Sequence, residues 1–269
     1  MTDPNPAVTG TRPLVLLGVR DHIATVSFNR PERHNAVDND VAYAFTDILR
    51  ELHERPGLRA VILRGEGKSF SSGRDTKALG GRPGGETDLE FVAKFQKNIT
   101  LISTMPVPVI AALKGWVLGG SFERALHCDV RIAATDAKMA LPEVGHGLVP
   151  DTGGVSRLRA LAGPGMVKDL VLTGRTLTAE EALTAGIVSR VVPPERLDDE
   201  AWQVASLIAS RSPLAVRLAR QIIDDLDREA HASALRQENL AQALLFASED
   251  YREGKAARAE GRQPEFRGR

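Results

Sequence analysis

Cysteine is almost absent from this chain. Cys128 stands alone among 269 residues, so no intrachain disulfide can form and a thiolate metal site lacks ligands. An excess of either charge is missing as well: Lys and Arg number 35, and so do Asp and Glu. That balance argues against binding nucleic acid through bulk positive charge, while leaving room for a local basic patch that meets a phosphate-bearing ligand. Six histidines are scattered without HExxH or paired spacing, so no metal is expected. No apolar run nears the roughly 20 residues that cross a bilayer, and no membrane association is expected. Residues 1–12 are rich in Pro, Asn, Asp and Thr. They lack the basic and apolar segments of a signal peptide and the Arg-rich character of a transit peptide. They read as a disordered tail on a cytoplasmic chain.

What is present is an alternation of strand and helix patterns, in a chain long enough to bury a large core. Ile23–Phe28 alternates as a strand, with β-branched residues at positions 23, 25 and 26. Residues 41–52 place Val41, Ala44, Phe45, Ile48, Leu49 and Leu52 on one helix face. Residues 60–63 are continuously apolar, as in a strand covered on both faces. Further strands are predicted at 107–112 and 129–134, and a helix near 89–104. Two loops rich in glycine and special residues cover 65–85 and 142–154, and the Gly- and Pro-rich stretch 80–85 reads as mobile. Past Gly163 the pattern is helical, at 166–173, 178–185, 197–210, 213–227 and 232–253. Thr178 with Glu181 fits a capping box. The chain thus divides into the tail, an α/β core over 13–195 and a helical region over 196–269.

Three segments carry residues suited to chemistry. In 65–75, small residues at Ser71, Ser72 and Gly73 let backbone approach a ligand, and a glycine can turn an N–H into a site. An ordinary surface loop has the same composition. In 114–123, Gly119 and Gly120 open a helix whose first N–H groups are unpaired and favour negative charge. Glu123 falls in that first turn, either as a partly buried proton carrier or as a stabiliser of the helix dipole. In 139–154, Glu143 sits in an apolar, glycine-spaced loop and His146 reads as a loop hydrogen-bonder. Asp151 stands at a helix start, where it could simply be an N-cap.

Together these segments resemble the crotonase (enoyl-CoA hydratase/isomerase) superfamily, in family order and spacing. The residues that carry the resemblance are Asn29-Arg-Pro with Asn35-Ala36; Phe70-Ser-Ser-Gly-Arg-Asp75; Pro108 to Ala112 with Gly115; Leu118-Gly-Gly with Glu123 and Cys128-Asp129; and Pro142-Glu143 with Gly147, Pro150 and Gly153-Gly154. Gly174-Arg175, Ala179, Ala182, Gly186 and the stretch from Phe246 to Gly254 extend it to the C-terminal helices. The resemblance implies an α/β spiral of ββα units with a C-terminal helical trimerisation region, assembled as a homotrimer or hexamer. The ligand is then a coenzyme A thioester bound as substrate, with no separate cofactor. Backbone N–H groups mapping to Arg74 and Gly120 would form an oxyanion hole for a thioester enolate, Arg74 contributing its backbone only. Glu123 and Glu143 map to the glutamates that hold the attacking water: one base deprotonates it as it adds at Cβ, one acid protonates Cα from the same face. Lys68 and Lys77 match positions near the nucleotide, and Ser72, Asp75 and Gly119 complete the substrate-binding set.

The sequence also departs from that pattern. Ser121 replaces a third glycine and is expected to narrow or polarise the pocket beside the oxyanion hole. Arg258 and Gly261 replace an aromatic and a basic residue that often hold the nucleotide from a neighbouring subunit, which puts that contact in doubt. Asp151 occupies a position that is glycine in standard hydratases and an acid in several double-bond isomerases. Hydration of a 2-enoyl-CoA is therefore the leading expectation. An enoyl- or dienoyl-CoA isomerase using Glu143 and Asp151, with Glu123 assisting, is the second. A non-catalytic acyl-CoA-binding protein is the third, and the retained acids speak against it.

Overall fold

A computed structural model describes residues 12–78, 85–226 and 228–269. All but the last residue of the predicted tail, and residues 80–84 of the predicted mobile stretch, lie outside the described residues. β1 (Val15–Arg20) and β2 (Ile23–Phe28) form an antiparallel hairpin, turned by Asp21 and His22 at φ 49° and 67°. Parallel to β2 run β3 (Ala60–Gly65) and β4 (Val109–Leu113). β5 (Trp116–Leu118) then leaves this sheet, β6 (Val130–Ala134) returns to it beside β4, and β7 (Lys138–Ala140) leaves again to pair with β5. β8 (Leu177–Thr178) joins β7, and β9 (Arg190–Val192) closes the larger sheet beside β6. The two sheets have strand orders β1-β2-β3-β4-β6-β9 and β5-β7-β8.

The continuous apolar runs are explained by burial on both faces. Ala60 and Ile62 of β3 pack with Ile110 and Ile132 under Leu197, Ala201 and Val204 of helix α6 (Leu197–Ala209). Val61 and Leu63 turn the other way, into the larger core with Phe28, Phe45 and Phe70. The remaining helices are α1 (Asn39–Glu54), α2 (Asp88–Ser103), α3 (Gly120–Leu126), α4 (Gly154–Thr173), α5 (Ala179–Thr184), α7 (Pro213–Asp225), α8 (Arg228–Ala247) and α9 (Glu249–Glu260). Asp38 caps α1, and capping boxes open α2 at Thr87 and α5 at Thr178, the latter as the sequence predicts.

Three predicted bounds need correction. The strand expected from 107 begins at Val109, because Pro106 and Pro108 lack the N–H a ladder requires. The helix expected at 166–173 already begins at Gly154 and is broken at Gly163 (φ 74°, ψ 167°) ahead of Pro164. The helix expected over 232–253 is two, parted at Ser248, whose hydroxyl accepts from the Tyr251 amide at 3.0 Å. α8 lies against both α2 and α4, and α9 against the 143–146 turn, so the C-terminal helices roof the loops that carry the acids.

Candidate active site

The 71–75 segment and the start of α3 meet through backbone. Ser71 donates its N–H to Trp116 O (3.0 Å) and accepts from Leu118 N (3.1 Å). Two residues on, Gly73 has φ 88°, and a Cβ there would stand 2.7 Å from Leu118 O. Only glycine permits that approach. It sets Arg74 beside the turn at Gly119 (φ 52°) that leads into α3. The amides of Gly73, Asp75 and Gly119 are each bonded, to Ser71 Oγ, Val37 O and Ala140 O. Those of Arg74 and Gly120 find no acceptor among the described residues. Both residues border one cavity of about 120 Å³.

Glu123, Glu143 and Asp151 border the same cavity. Glu123 is 1% exposed. Its Oε1 accepts the Thr152 amide at 3.0 Å and the Gly154 amide at 2.9 Å, and its Oε2 has no partner among the described residues. Glu143 stands in the short helical turn Glu143–His146, and its Oε2 also lacks a partner there. A Cβ on Gly119 would lie 2.8 Å from Glu143 Oε1, so the glycine makes room for that carboxyl. Burial first, and the neighbouring charge of Glu123 second, hold the Glu143 carboxyl well above the ordinary range. Burial also raises Glu123, opposed by the Gly154 and Thr152 amides that favour its ionised form. Asp151 is pushed up to about 8, by burial and then by Glu123. It does not cap α4, whose N-cap is Gly153 at φ 91° with no side-chain cap. The capping alternative is therefore set aside.

Several residues of this site have no counterpart in the sequence reading. α8 contributes Gln242, whose Oε1 accepts the Val149 amide (3.1 Å), and Glu238, whose Oε2 accepts the Gly153 amide (2.7 Å). Gln96 of α2 donates to both Asp151 O and Leu235 O at 2.8 Å, tying the acid loop to α8. Phe91, Phe95 and Phe246 supply an apolar wall. Phe91 and Phe95 show in the sequence only by spacing of four on one helix, as do Glu238 and Gln242 on another, whereas Phe246 already opens the C-terminal stretch that carries the resemblance. Arg124, one residue after Glu123, also borders the cavity, with its Nη1 donating to Gly120 O at 3.0 Å. Burial and the nearby Arg74 press its pKa down to about 10, which leaves it charged at neutral pH.

Two expectations change. Ser121 is fully buried and does not border the cavity: its Oγ pairs with Ser71 Oγ at 2.7 Å, stitching together the two segments that carry the free amides. The Arg74 side chain is more than a bystander, since it donates to Asn39 Oδ1 at 2.5 Å and lies 4.9 Å from the ring centroid of Phe95, a residue that borders the cavity. Asp75 is buried, in ion pairs with Arg30 (3.6 Å) and Arg33 (3.5 Å). Ser72 points back to Arg33 O at 3.5 Å, and Lys68 and Lys77 are exposed. None of these four borders the cavity. His146 does make a loop contact, with Arg258 Nη1 3.3 Å away, and Gly261 (φ 68°) ends α9.

A family model described as enoyl-CoA hydratase/isomerase matches residues 18–269. A crotonyl-CoA hydratase of Syntrophomonas wolfei is 38% identical over 258 residues, covering 94% of this chain and 97% of that protein. A carnitinyl-CoA dehydratase of Salmonella arizonae is 39% identical over 251 residues, covering 91% and 95%. Among solved structures, an enoyl-CoA hydratase/isomerase of Pseudoalteromonas atlantica superposes with a TM-score of 0.86 at 30% identity, covering 94% of this chain and all of that one (100%).

Proposed function

We propose that this chain, which belongs to the enoyl-CoA hydratase/isomerase family, adds water across the 2,3 double bond of a 2-enoyl-CoA. The observation that carries this reading is a single cavity bordered by two unbonded amides and two glutamates of unlike surroundings. The amides of Arg74 and Gly120 receive the thioester oxygen as negative charge gathers on it, and donors already fixed there cost no reorganisation in the transition state. Glu123, whose Oε1 is occupied by two amides, keeps Oε2 for the water proton and acts as the base. Glu143, whose protonated form burial and then the charge of Glu123 favour, delivers its proton to Cα. The hydroxyl oxygen bonds to Cβ, the π electrons pass through the enolate, and the proton taken by Glu123 replaces the one given by Glu143 after turnover. The net addition is one water.

No cofactor enters this scheme, and coenzyme A is part of the substrate. Lys68 and Lys77 stand in it as exposed partners for nucleotide phosphates, with Ser72, Asp75 and Gly119 shaping the segments around the thioester. Among the described residues no helix is long and apolar enough to cross a membrane, and we place the enzyme in the cytoplasm. From the family resemblance we assign it a homotrimer or a dimer of trimers, and an interface of either kind could bury Leu214, Leu218, Ile222 and Ile223 exposed on α7 and Leu240 and Leu244 exposed on α8.

A second reading rests on Asp151. A half-buried carboxyl bordering the cavity that caps no helix suits a proton relay for shifting C=C bonds, together with Glu143. Two assays on the wild type separate the readings. Hydration removes the enone absorbance of crotonyl-CoA. Isomerisation makes a 3-enoyl- or 3,5-dienoyl-CoA gain conjugated absorbance, and Asp151→Asn stops it. Enone loss is the expected result. Silence with both short and long 2-enoyl-CoAs would sink the hydratase reading.

A further inference from the structure

The catalytic scheme leaves two guanidinium groups in the cavity wall unused. Arg74 is held from below by Asn39 and lies on the Phe91–Phe95 wall, 4.9 Å from the centroid of Phe95 and 6.0 Å from that of Phe91. Its Nη1 is sealed from solvent and meets no acceptor among the described residues. Arg124 spends Nη1 on Gly120 O and Ser121 Oγ, and its other nitrogens meet no acceptor among those residues. The acids whose fields reach Arg74 from outside the cavity, Asp38 and Asp75, are already paired with Arg30 and Arg33.

We propose that this cavity selects a short 2-enoyl-CoA whose acyl chain ends in an anionic group, received by the Arg74 guanidinium with Arg124 reinforcing the field. The inference rests on the acyl-CoA reading above and narrows it to a substrate class. A methyl end leaves the Arg74 guanidinium with Asn39 as its one side-chain hydrogen-bond acceptor among the described residues, whereas a carboxylate that reaches it supplies a second and makes a charge-assisted bond. A cationic end meets two guanidinium groups, and the Phe95 face that would hold a quaternary ammonium is already occupied by Arg74. The cavity acids do not cancel the field: burial holds Glu143 and Asp151 toward their neutral forms, so two cations face chiefly Glu123. Phe91 and Phe95 pack edge to face with centroids 4.9 Å apart, a firm backing for the guanidinium.

The test compares kcat/KM for three thioesters: 2-pentenoyl-CoA, 4-carboxybut-2-enoyl-CoA and 4-trimethylammoniobut-2-enoyl-CoA. The anionic one is expected to lead the neutral one by about tenfold or more, the factor carried by one hydrogen bond to a charged group, and the cationic one to trail. Arg74→Met should collapse the anionic-to-neutral ratio, both substrates being measured on the same preparation. An equal or inverted ratio in the wild type overturns the inference while leaving hydration intact, and so does a ratio that Arg74→Met leaves unchanged. Calorimetry with the saturated pair, glutaryl-CoA and pentanoyl-CoA, reads the same preference without catalysis. If no enoyl-CoA is hydrated, the reaction assignment falls. Tighter binding of glutaryl-CoA then still supports the charge preference, and equal binding removes it.

Discussion

A carboxylate that accepts two amide hydrogens is easier to ionise than one that accepts none, and a second buried carboxyl beside it is harder to ionise still. Glu123 and Glu143 stand in these two situations, which suits identical side chains to opposite tasks in the proposed reaction. Glu143→Gln, which keeps shape but carries no acidic proton, should cut kcat on crotonyl-CoA by roughly 10²–10⁴ with the circular dichroism unchanged. Loss of a few-fold only would move the acid elsewhere. Asp151 makes a second prediction at this scale. Its carboxyl ionises near 4 in the unfolded chain but at about 8 in the folded one. The folded state therefore holds the extra proton between those values, and stability falls as pH rises through that window. Burial lowers His127 to about 3 and His231 to about 4, so between those values and about 6.5 only the unfolded chain protonates them, a contribution that wild type and Asp151→Asn share and that cancels between them. Asp151→Asn should thus gain stability over wild type progressively from pH 5 to 8. A gap that does not widen in denaturant titrations would contradict the assigned burial of this acid.

At the scale of elements, the site depends on where Gly73 lets two segments touch. Alanine there must hold φ 88° and place its Cβ 2.7 Å from the Leu118 carbonyl, so the 71–75 segment moves and carries the Arg74 amide with it. Gly73→Ala should lower kcat more than it raises KM, because the oxyanion contact tightens in the transition state; a pure KM effect would place the amide in ground-state binding. This contact also shows what the sequence made legible. β2, β3, β4 and the body of α1 announce themselves by period or by β-branched runs, and Gly119-Gly120 marks the start of α3. β5, β7 and β8 are two or three residues long and pair with distant chain, so no period can develop in them. The inward turn of Arg124 was hidden because a charge on a seven-residue helix reads as a solvated face. Glu238 and Gln242 were hidden likewise, since only the packing of α8 over the acid loop turns them inward. Glu123 and Glu143 were singled out in the sequence, but 20 positions apart along the chain (123 and 143), and β5 and β7, paired in parallel, are what deliver α3 and the 143–146 turn to one place.

For the whole molecule, the question is what covers the apolar side of α7. Leu218 and Ile222 lie one turn apart and exposed on a helix with no buried residue, a face that a symmetric interface would bury. Leu218→Glu with Ile222→Glu should convert the proposed assembly to a smaller species in light scattering after gel filtration; an unchanged mass would place the interface elsewhere. The fold holds the free amides and the acids around one cavity whatever the answer, because β4, β6 and the core beneath them lie within one chain. The most direct test of the reaction is therefore made on the isolated wild-type protein. Crotonyl-CoA incubated with it in ¹⁸O-enriched water should give a product heavier by one labelled water, the 3-hydroxyacyl thioester, and Glu143→Gln should give almost none. Unchanged crotonyl-CoA, or a rearranged enoyl-CoA without added mass, would contradict hydration as its chemistry.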